Sequence, residues 1–323
     1  MKNNLVISFN PAGDINVASS RLRCFYLYHE LKKIHESTFI GIKKDFIPDI
    51  LFVQKKITKE LYDYAVDVKS NYGIVVYDID DYGDRALAWV KSETGLFTEF
   101  IKLCDILTVD TVNRANIYRK SEQYKNIPEI IVVPDPIDYF YVENNLNVQR
   151  INEGFWFGNA PNITPSIPSI NFITDSLNNK ISVMTNKKYI DAVKQILPNI
   201  NVLEWSYNGC ANQLRSLEYT VLFHANDLEG SQKSNNKMLA CLSNGNIPFL
   251  SDTPAYKDTA NIMGLEDLIV YDLSDYKNKL NKNFFESIRI KMKKNVCKDY
   301  MEKLSPPYIA NEFYTLMLAK YPF

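Results

Sequence analysis

Glycine is scarce in this chain, at 11 of 323 residues, about half the usual ~7%. Neither G-x-G-x-x-G nor G-x-x-x-x-G-K-[ST] occurs, so the two common Gly-rich phosphate cradles are excluded. Any phosphate must be held by other means. Cysteine is sparse as well: five residues, at 24, 104, 210, 241 and 297, with no C-x-x-C pair. That spacing supports neither a zinc site nor a disulfide framework, and fits reduced structural thiols in a cytoplasmic protein. There are three histidines, and no Ser/His/Asp or Cys/His set stands in a supporting context, which disfavours nucleophilic hydrolysis. Charge of one sign is missing too. With 37 Lys+Arg against 38 Asp+Glu the net charge is −1, without the global basic field of a nucleic-acid binder. No uninterrupted apolar run reaches the roughly 18 residues of a membrane-spanning helix. The start, Met1 to Phe9, carries one basic residue and about five apolar ones, and reads as a first strand rather than an export signal. A periplasmic-type binding protein is thereby disfavoured.

What is present is ordinary globular composition, 46% hydrophobic, over a length that suggests two domains at ~100–200 residues each. Apolar runs alternate with helical patterns. Expected strands in the first half are Leu5–Phe9, Thr38–Gly41, Ile50–Val53, Gly73–Asp78, Ile106–Val109 and Ile130–Val133. The helices between them are Ser20–Ile34, with Leu22, Phe25, Tyr26 and His29 on one stripe, then Thr58–Ser70, Gly83–Leu103 and Thr111–Ser121. Pro134-Asp135-Pro136 and the polar stretch after it mark a boundary near residue 150. The second half repeats the alternation. Its strands are Gly154–Phe157, Ile181–Met184, Asn201–Glu204, Thr220–His224, Ile247–Leu250 and Leu268–Tyr271. Its helices are Asn162–Asn178, Lys188–Leu197, Gly209–Ser216, Ser234–Ser243, Asp275–Lys294 and a closing pattern over Pro307–Lys320. The class is α/β: two facing Rossmann-like αβα domains, 1–150 and 151–305, with a last helix over 306–323 returning toward the N-terminal domain. In such sheets ligands sit outside the carboxyl ends of the strands, so strand-end loops carry the functional weight.

The richest of these loops follows the strand ending at His224. It runs through Glu229, Lys233, Ser234, Asn236 and Lys237 into a helix that Gly245 closes as a left-handed cap. A helix start presents unpaired N–H groups and a partial positive charge. With Ser234 as cap and Lys233 and Lys237 beside it, this turn can hold an anion without glycines. An ordinary capped surface helix with solvated lysines is the competing reading.

The segment Lys233-Ser234-x-Asn236-Lys237, followed by Gly245-x-x-Pro248 and Ser251-Asp252-x-Pro254-x-Tyr256, resembles the donor-binding region of GT-B-fold glycosyltransferases of the group 1, family 4-like kind. Four further stretches are similar in the same order: Ala18-Ser19-Ser20-Arg21-Leu22-Arg23, Cys104 to Val109, Ile131 to Asp138, and Phe155-Trp156-Phe157-Gly158. The resemblance implies a nucleotide-sugar donor whose phosphates meet Lys233, Ser234, Asn236 and Lys237, with Gly158, Asn159, His224, Glu229, Tyr256 and Arg21 also on the donor. One departure is clear. Many retaining members carry a second glutamate eight positions after the first, and here Lys237 stands eight after Glu229.

A second loop, Tyr77 to Asp84, follows a buried strand with Asp78, Asp80 and Asp81. Carboxylates there can serve as general base, bind acceptor hydroxyls or hold a divalent cation, and a helix-capping cluster is the bland alternative. Asp14, in the loop after the first strand, is a further candidate base. Arg21 in the same segment carries a fixed guanidinium fork suited to oxyanions. Gly158 lets a ligand approach the backbone, and Trp205 and Tyr207 end another strand. The expected function is transfer of a sugar from an activated, nucleotide-diphosphate donor to a growing surface glycan or other glycoconjugate, without metal or cofactor. Two alternatives stay open: a transferase using a non-nucleotide sugar phosphate, or a catalytically silent partner subunit of glycan assembly. A lipid-linked acceptor would bring peripheral membrane contact, for which Ile288–Lys298 offers five basic residues.

Overall fold

Short β-branched and aromatic runs form two wholly parallel sheets, and their strand orders decide where a ligand can bind. The computed structural model describes residues 5–36, 38–80, 94–138 and 149–320. The chain divides into two units, Met1–Pro136 with Lys303–Phe323, and Ile137–Glu302.

In the first unit six strands, β1 (Ile7–Asn10), β2 (Phe39–Ile40), β3 (Ile50–Gln54), β4 (Ile74–Asp78), β5 (Ile106–Val109) and β6 (Glu129–Val132), lie in the order β2-β1-β3-β4-β5-β6. β3, β4 and β5 are buried along their whole length, as expected of parallel strands covered on both faces. The helix Lys59–Ser70 starts at Thr58, whose hydroxyl accepts from Leu61 N, and packs Leu61, Tyr64, Ala65 and Val68 inward. The C-terminal helix Pro306–Lys320 belongs to this unit. Its Phe313 ring meets Phe9 and Phe52, and the Tyr314 hydroxyl accepts from Leu5 N at 3.1 Å. Each such buried aromatic contributes about 1.5–3 kcal/mol relative to exposure.

The expected Ser20–Ile34 helix forms, with a changed register. It begins at Ala18, widens into a π turn over Arg21–Phe25 and resumes as Tyr26–Ile34. The extra residue of the π turn rotates the apolar face. Leu22, Cys24, Leu27 and Leu31 are buried, whereas His29 is exposed. The same rotation turns both Arg21 and Arg23 inward. Residues 81–93 lie outside the described residues, so the helix expected from Gly83 is described only as Thr94–Leu103.

In the second unit five strands, β7 (Ile151–Phe157), β8 (Ile181–Thr185), β9 (Asn201–Glu204), β10 (Leu217–Leu222) and β11 (Ile247–Leu250), are ordered β11-β10-β7-β8-β9. Leu268–Tyr271, expected as a further strand, makes only one bridge, Ile269 to Leu250, because a 3₁₀ turn over Glu266–Leu268 precedes it. Asn162–Asn178 is not one helix either. Pro161, Pro165 and Pro168 divide it into short turns before Ile167–Asn171 and a π turn over Phe172–Ser176, since proline cannot donate to the preceding turn. Asp275–Lys294 is split at Asn281, whose side chain caps Lys282–Met292. The helix Asn236–Ser243 ends in a Schellman motif: Gly245 N, at φ +73, donates to Leu242 O, and Asn246 N donates to Cys241 O. Arg150 then gathers the carbonyls of Leu214, Arg215, Leu217 and Asn244, closing two helix C-termini with one guanidinium.

Candidate functional site

In the second unit the chain leaves β7 toward β8 and β9, then returns to place β10 and β11 on the other side of β7. The carboxyl ends of β7 and β10 therefore flank the topological switch point, where doubly wound sheets bind ligands. Gly158 follows β7, His224 follows β10, and the helix Asn236–Ser243 connects β10 to β11.

Lys237 is the centre of this site. Its Nζ donates to Phe157 O at 3.1 Å and lies 5.4 Å over the Trp156 ring and 5.5 Å over the Phe157 ring. Among the described residues no carboxylate pairs with it. Burial, then the neighbouring Lys233 charge, lowers its pKa to about 8. A Cβ on Gly158 would stand 2.7 Å from Nζ, and Gly158 sits at φ +151, so glycine is needed for the ammonium to reach the strand end. His224 is half-buried and stacks on Tyr256, centroids 5.0 Å apart. Its backbone N donates to Ser251 Oγ at 3.0 Å, fixing the start of the loop. Burial, then Lys237 and Lys233, pushes the imidazole down to about 3, so it is neutral at physiological pH.

The helix start adds to this positive field. The first intrahelical bond runs from Leu239 N to Asn235 O, and the amide of Asn235 turns away to donate to Thr259 Oγ1 at 2.6 Å. Ser234, the expected cap, does not stand at the cap position. The helix begins two residues later, at Asn236, and the cap position falls to Asn235, which gives no side-chain bond to the first turn. Lys233 pairs with Glu229 at 3.2 Å. Both are partly exposed, so the pair neutralises Lys233 only weakly. Asn236 is buried beside Lys237, and Asn159 accepts from Asn186 Nδ2 at 3.3 Å at the β7 end. Gly158, Asn159, His224, Glu229, Lys233, Ser234, Asn236, Lys237 and Tyr256 thus belong to one unit. Tyr256 is fully buried behind His224, where it supports the imidazole from behind. This arrangement can take up an oxyanion: one desolvated ammonium, a second nearby, a helix start and a neutral hydrogen-bonding ring.

The first-unit candidates are arranged differently. Asp78 is fully buried. Its carboxylate accepts from Arg23 Nη2 at 2.6 Å and from Thr108 Oγ1 at 2.7 Å. A general base must reach a substrate proton, and this carboxylate faces the interior instead. Arg23 also donates to Val133 O and pairs with Asp135 at 3.3 Å. Asp80 pairs with Lys55 at 2.5 Å; burial alone would raise its pKa, and Lys55 with Arg23 and Arg114 outweighs that and lowers it. Arg21, read as a phosphate ligand, is 2% exposed and gives Nη1 to Ile15 O at 2.9 Å, so it shapes the Asp14–Val17 loop. Asp14 is exposed, with Oδ1 accepting from Asn16 N at 2.8 Å. Asp81 lies outside the described residues.

Sequence reading missed Arg23, Lys55 and Arg114 as members of a buried charge network, and missed the Phe157 carbonyl and Trp156 ring as the bed of Lys237. The run Trp156-Phe157-Gly158 at a strand end was the available signal.

No protein-family model matches the sequence, and no curated protein matches it. Solved structures do. Those of Anabaena Alr3699/HepE, one in complex with UDP and one with UDP and glucose, match with TM-scores of 0.60 and 0.62 at 10% identity, over 97% of this chain and 99% of theirs. The spinosyn forosaminyltransferase SpnP matches with a TM-score of 0.50 at 11% identity, over 98% of this chain and 100% of its own. At such identities the likeness speaks for the fold alone. Two Rossmann-like domains with parallel sheets, matched from end to end, give this chain a divergent form of the GT-B fold found in glycosyltransferases.

Proposed function

We propose that the protein is a glycosyltransferase that uses a nucleotide-diphosphate sugar, with the diphosphate held by Lys237, Lys233, the start of the Asn236–Ser243 helix and the backbone at Gly158. The observation that carries this reading is Lys237, a desolvated ammonium at the switch point whose cationic form no described carboxylate neutralises. A diphosphate would complete its surroundings. Negative charge grows on the leaving phosphate as the glycosidic bond breaks, and cations already in position stabilise that charge without reorganising. Neutral His224 contributes a hydrogen bond rather than a charge. On the acceptor side, Asp14 is the exposed candidate carboxylate, Asp80 being engaged by Lys55, and the acceptor is a glycan or glycoconjugate. A lipid-linked acceptor is favoured by one feature: Ile290 and Val296 are exposed in a segment that also carries Lys293, Lys294 and Lys298.

The test is calorimetric titration of UDP into the wild type and Lys237→Met. The variant keeps the stem on Trp156 and loses the charge, so affinity should fall about 100-fold, or roughly 2.7 kcal/mol. The melting temperature should stay level or rise, because an unpaired desolvated charge is removed. Undiminished UDP binding in Lys237→Met would sink the phosphate assignment. A sugar phosphate that binds the wild type while UDP does not would replace the nucleotide donor with the simpler one.

A further inference from the structure

Tyr72 ends the helix Lys59–Ser70 in a conformation its side chain does not favour. Its φ is +61, and it occupies the left-handed position of a complete Schellman motif: Tyr72 N donates to Lys69 O at 3.1 Å, and Gly73 N donates to Val68 O at 2.9 Å. Glycine is the usual residue there, and a side chain in this region costs roughly 1–2 kcal/mol. The next position does hold glycine, for another reason: a Cβ on Gly73 would meet Val68 Cγ1 at 2.5 Å and Asp49 O at 3.1 Å. Burial does not offset the strain at Tyr72, because the residue is 84% exposed. Neither folding nor packing accounts for an aromatic ring at this point.

The ring borders an open groove of about 630 Å³ at the amino ends of β4, β5 and β6, on the edge of the first unit's sheet away from its carboxyl strand ends. The groove's charged groups are already matched. Lys69 pairs with Asp105 at 2.6 Å, and Lys320 with Glu129 at 2.8 Å. Asp105 is held in place by Val75 N at 2.8 Å. Two cations and two carboxylates leave no net field, so the groove suits neither a polyanion nor a polycation. It offers a flat amphipathic ring, an apolar edge at Pro128, and pairs of polar groups that can share hydrogen bonds with hydroxyls. Its size is within the range of small-ligand sites.

We propose that Tyr72 and this groove form a binding site for a neutral oligosaccharide, with a sugar ring stacked on the phenol and its hydroxyls on the Lys69–Asp105 and Lys320–Glu129 pairs. This site goes beyond the donor reading and does not depend on it.

Saturation-transfer NMR with maltoheptaose, cellohexaose and mannohexaose tests it, using the full chain. At least one probe should receive saturation from the wild type, and Tyr72→Phe should retain that binding. Tyr72→Gly should weaken it at least tenfold while the melting temperature rises, since the left-handed strain is relieved. Three outcomes overturn the site: no binding of any probe, unchanged binding in Tyr72→Gly, or displacement of the probe by dextran sulfate at lower concentration than by dextran. UDP affinity should be equal in the wild type and Tyr72→Gly, and Lys237→Met should bind the oligosaccharide normally, so the two sites fail independently.

Discussion

The carboxyl edges of the two parallel sheets treat charge in opposite ways. In the first unit, buried cations meet carboxylates from adjacent strand ends: Arg23 with Asp78 and Asp135, Lys55 with Asp80, and Arg114 with Asp110. In the second unit, Lys237 meets a carbonyl and two aromatic rings. A self-neutralised network sets the geometry of its strand ends and leaves little field for a ligand. A cation without a matching carboxylate keeps its field, and burial strengthens it. Charged residues at a strand end therefore do not by themselves mark a site; the state of their partners does.

Breaking the network should have the largest effect. Asp78→Ala removes the main partner of a fully buried guanidinium, and loss of one member of a buried pair costs about 3–5 kcal/mol. Urea denaturation should show that loss, while the folded fraction binds UDP as before. A stable variant with impaired UDP binding would mean that the two edges are not separable in this way.

The network should next reveal itself through pH. Burial, against the pull of Arg114 and with the push of Asp135 and Asp80, raises the Asp110 carboxyl to about 7, whereas an unfolded chain titrates near ~3.9. The folded state therefore keeps a proton that the unfolded chain has released. The resulting stabilisation is complete below the unfolded value and is lost as the pH rises through about 7. Asp110→Asn cannot ionise, so urea midpoints at pH 5.5 and 7.5 should lie closer together than in the wild type. An identical decline in both proteins would remove Asp110 from the account.

The smallest effect is expected on the other side of the comparison. Gly158→Ala introduces a Cβ at φ +151, 2.7 Å from Lys237 Nζ. The flexible ammonium can yield but the backbone cannot, so UDP affinity should drop about tenfold, near 1.4 kcal/mol, and the melting temperature should fall as well, because this φ strains any side chain. A loss as large as that in Lys237→Met would show that the glycine backbone itself is the main phosphate contact.

Much of this was legible in the chain. The alternation of apolar runs and helical patterns led to parallel αβα layers, because a buried parallel strand needs a continuous apolar run and a helical crossover. The cluster from His224 to Tyr256 was legible too, since strand-end loops within one domain keep sequence neighbours together. The register of the Ala18–Ile34 helix was not. A π turn adds one residue without any sequence mark as strong as proline, and that residue turned Arg23 inward and left His29 exposed. The partners of Asp78 were equally hidden, since Arg23 and Thr108 are brought to it from separate elements.

The scarcity of glycine argued against a Gly-rich phosphate loop and the absence of both motifs excluded the two common ones, while residue pattern alone pointed to an α/β chain with a helix start as its candidate anion site. Both follow from local rules: backbone conformation and the unpaired N–H groups of a first turn. Only the tertiary structure decided which charges are free to act. Lys237 and Arg23 are both cations in the early turns of a helix that follows a strand in sequence. Among the described residues, folding brings three carboxylate-bearing strand ends toward one region of the first unit and none to Lys237, and the energy of a buried charge depends on those distant partners rather than on its neighbours in the chain.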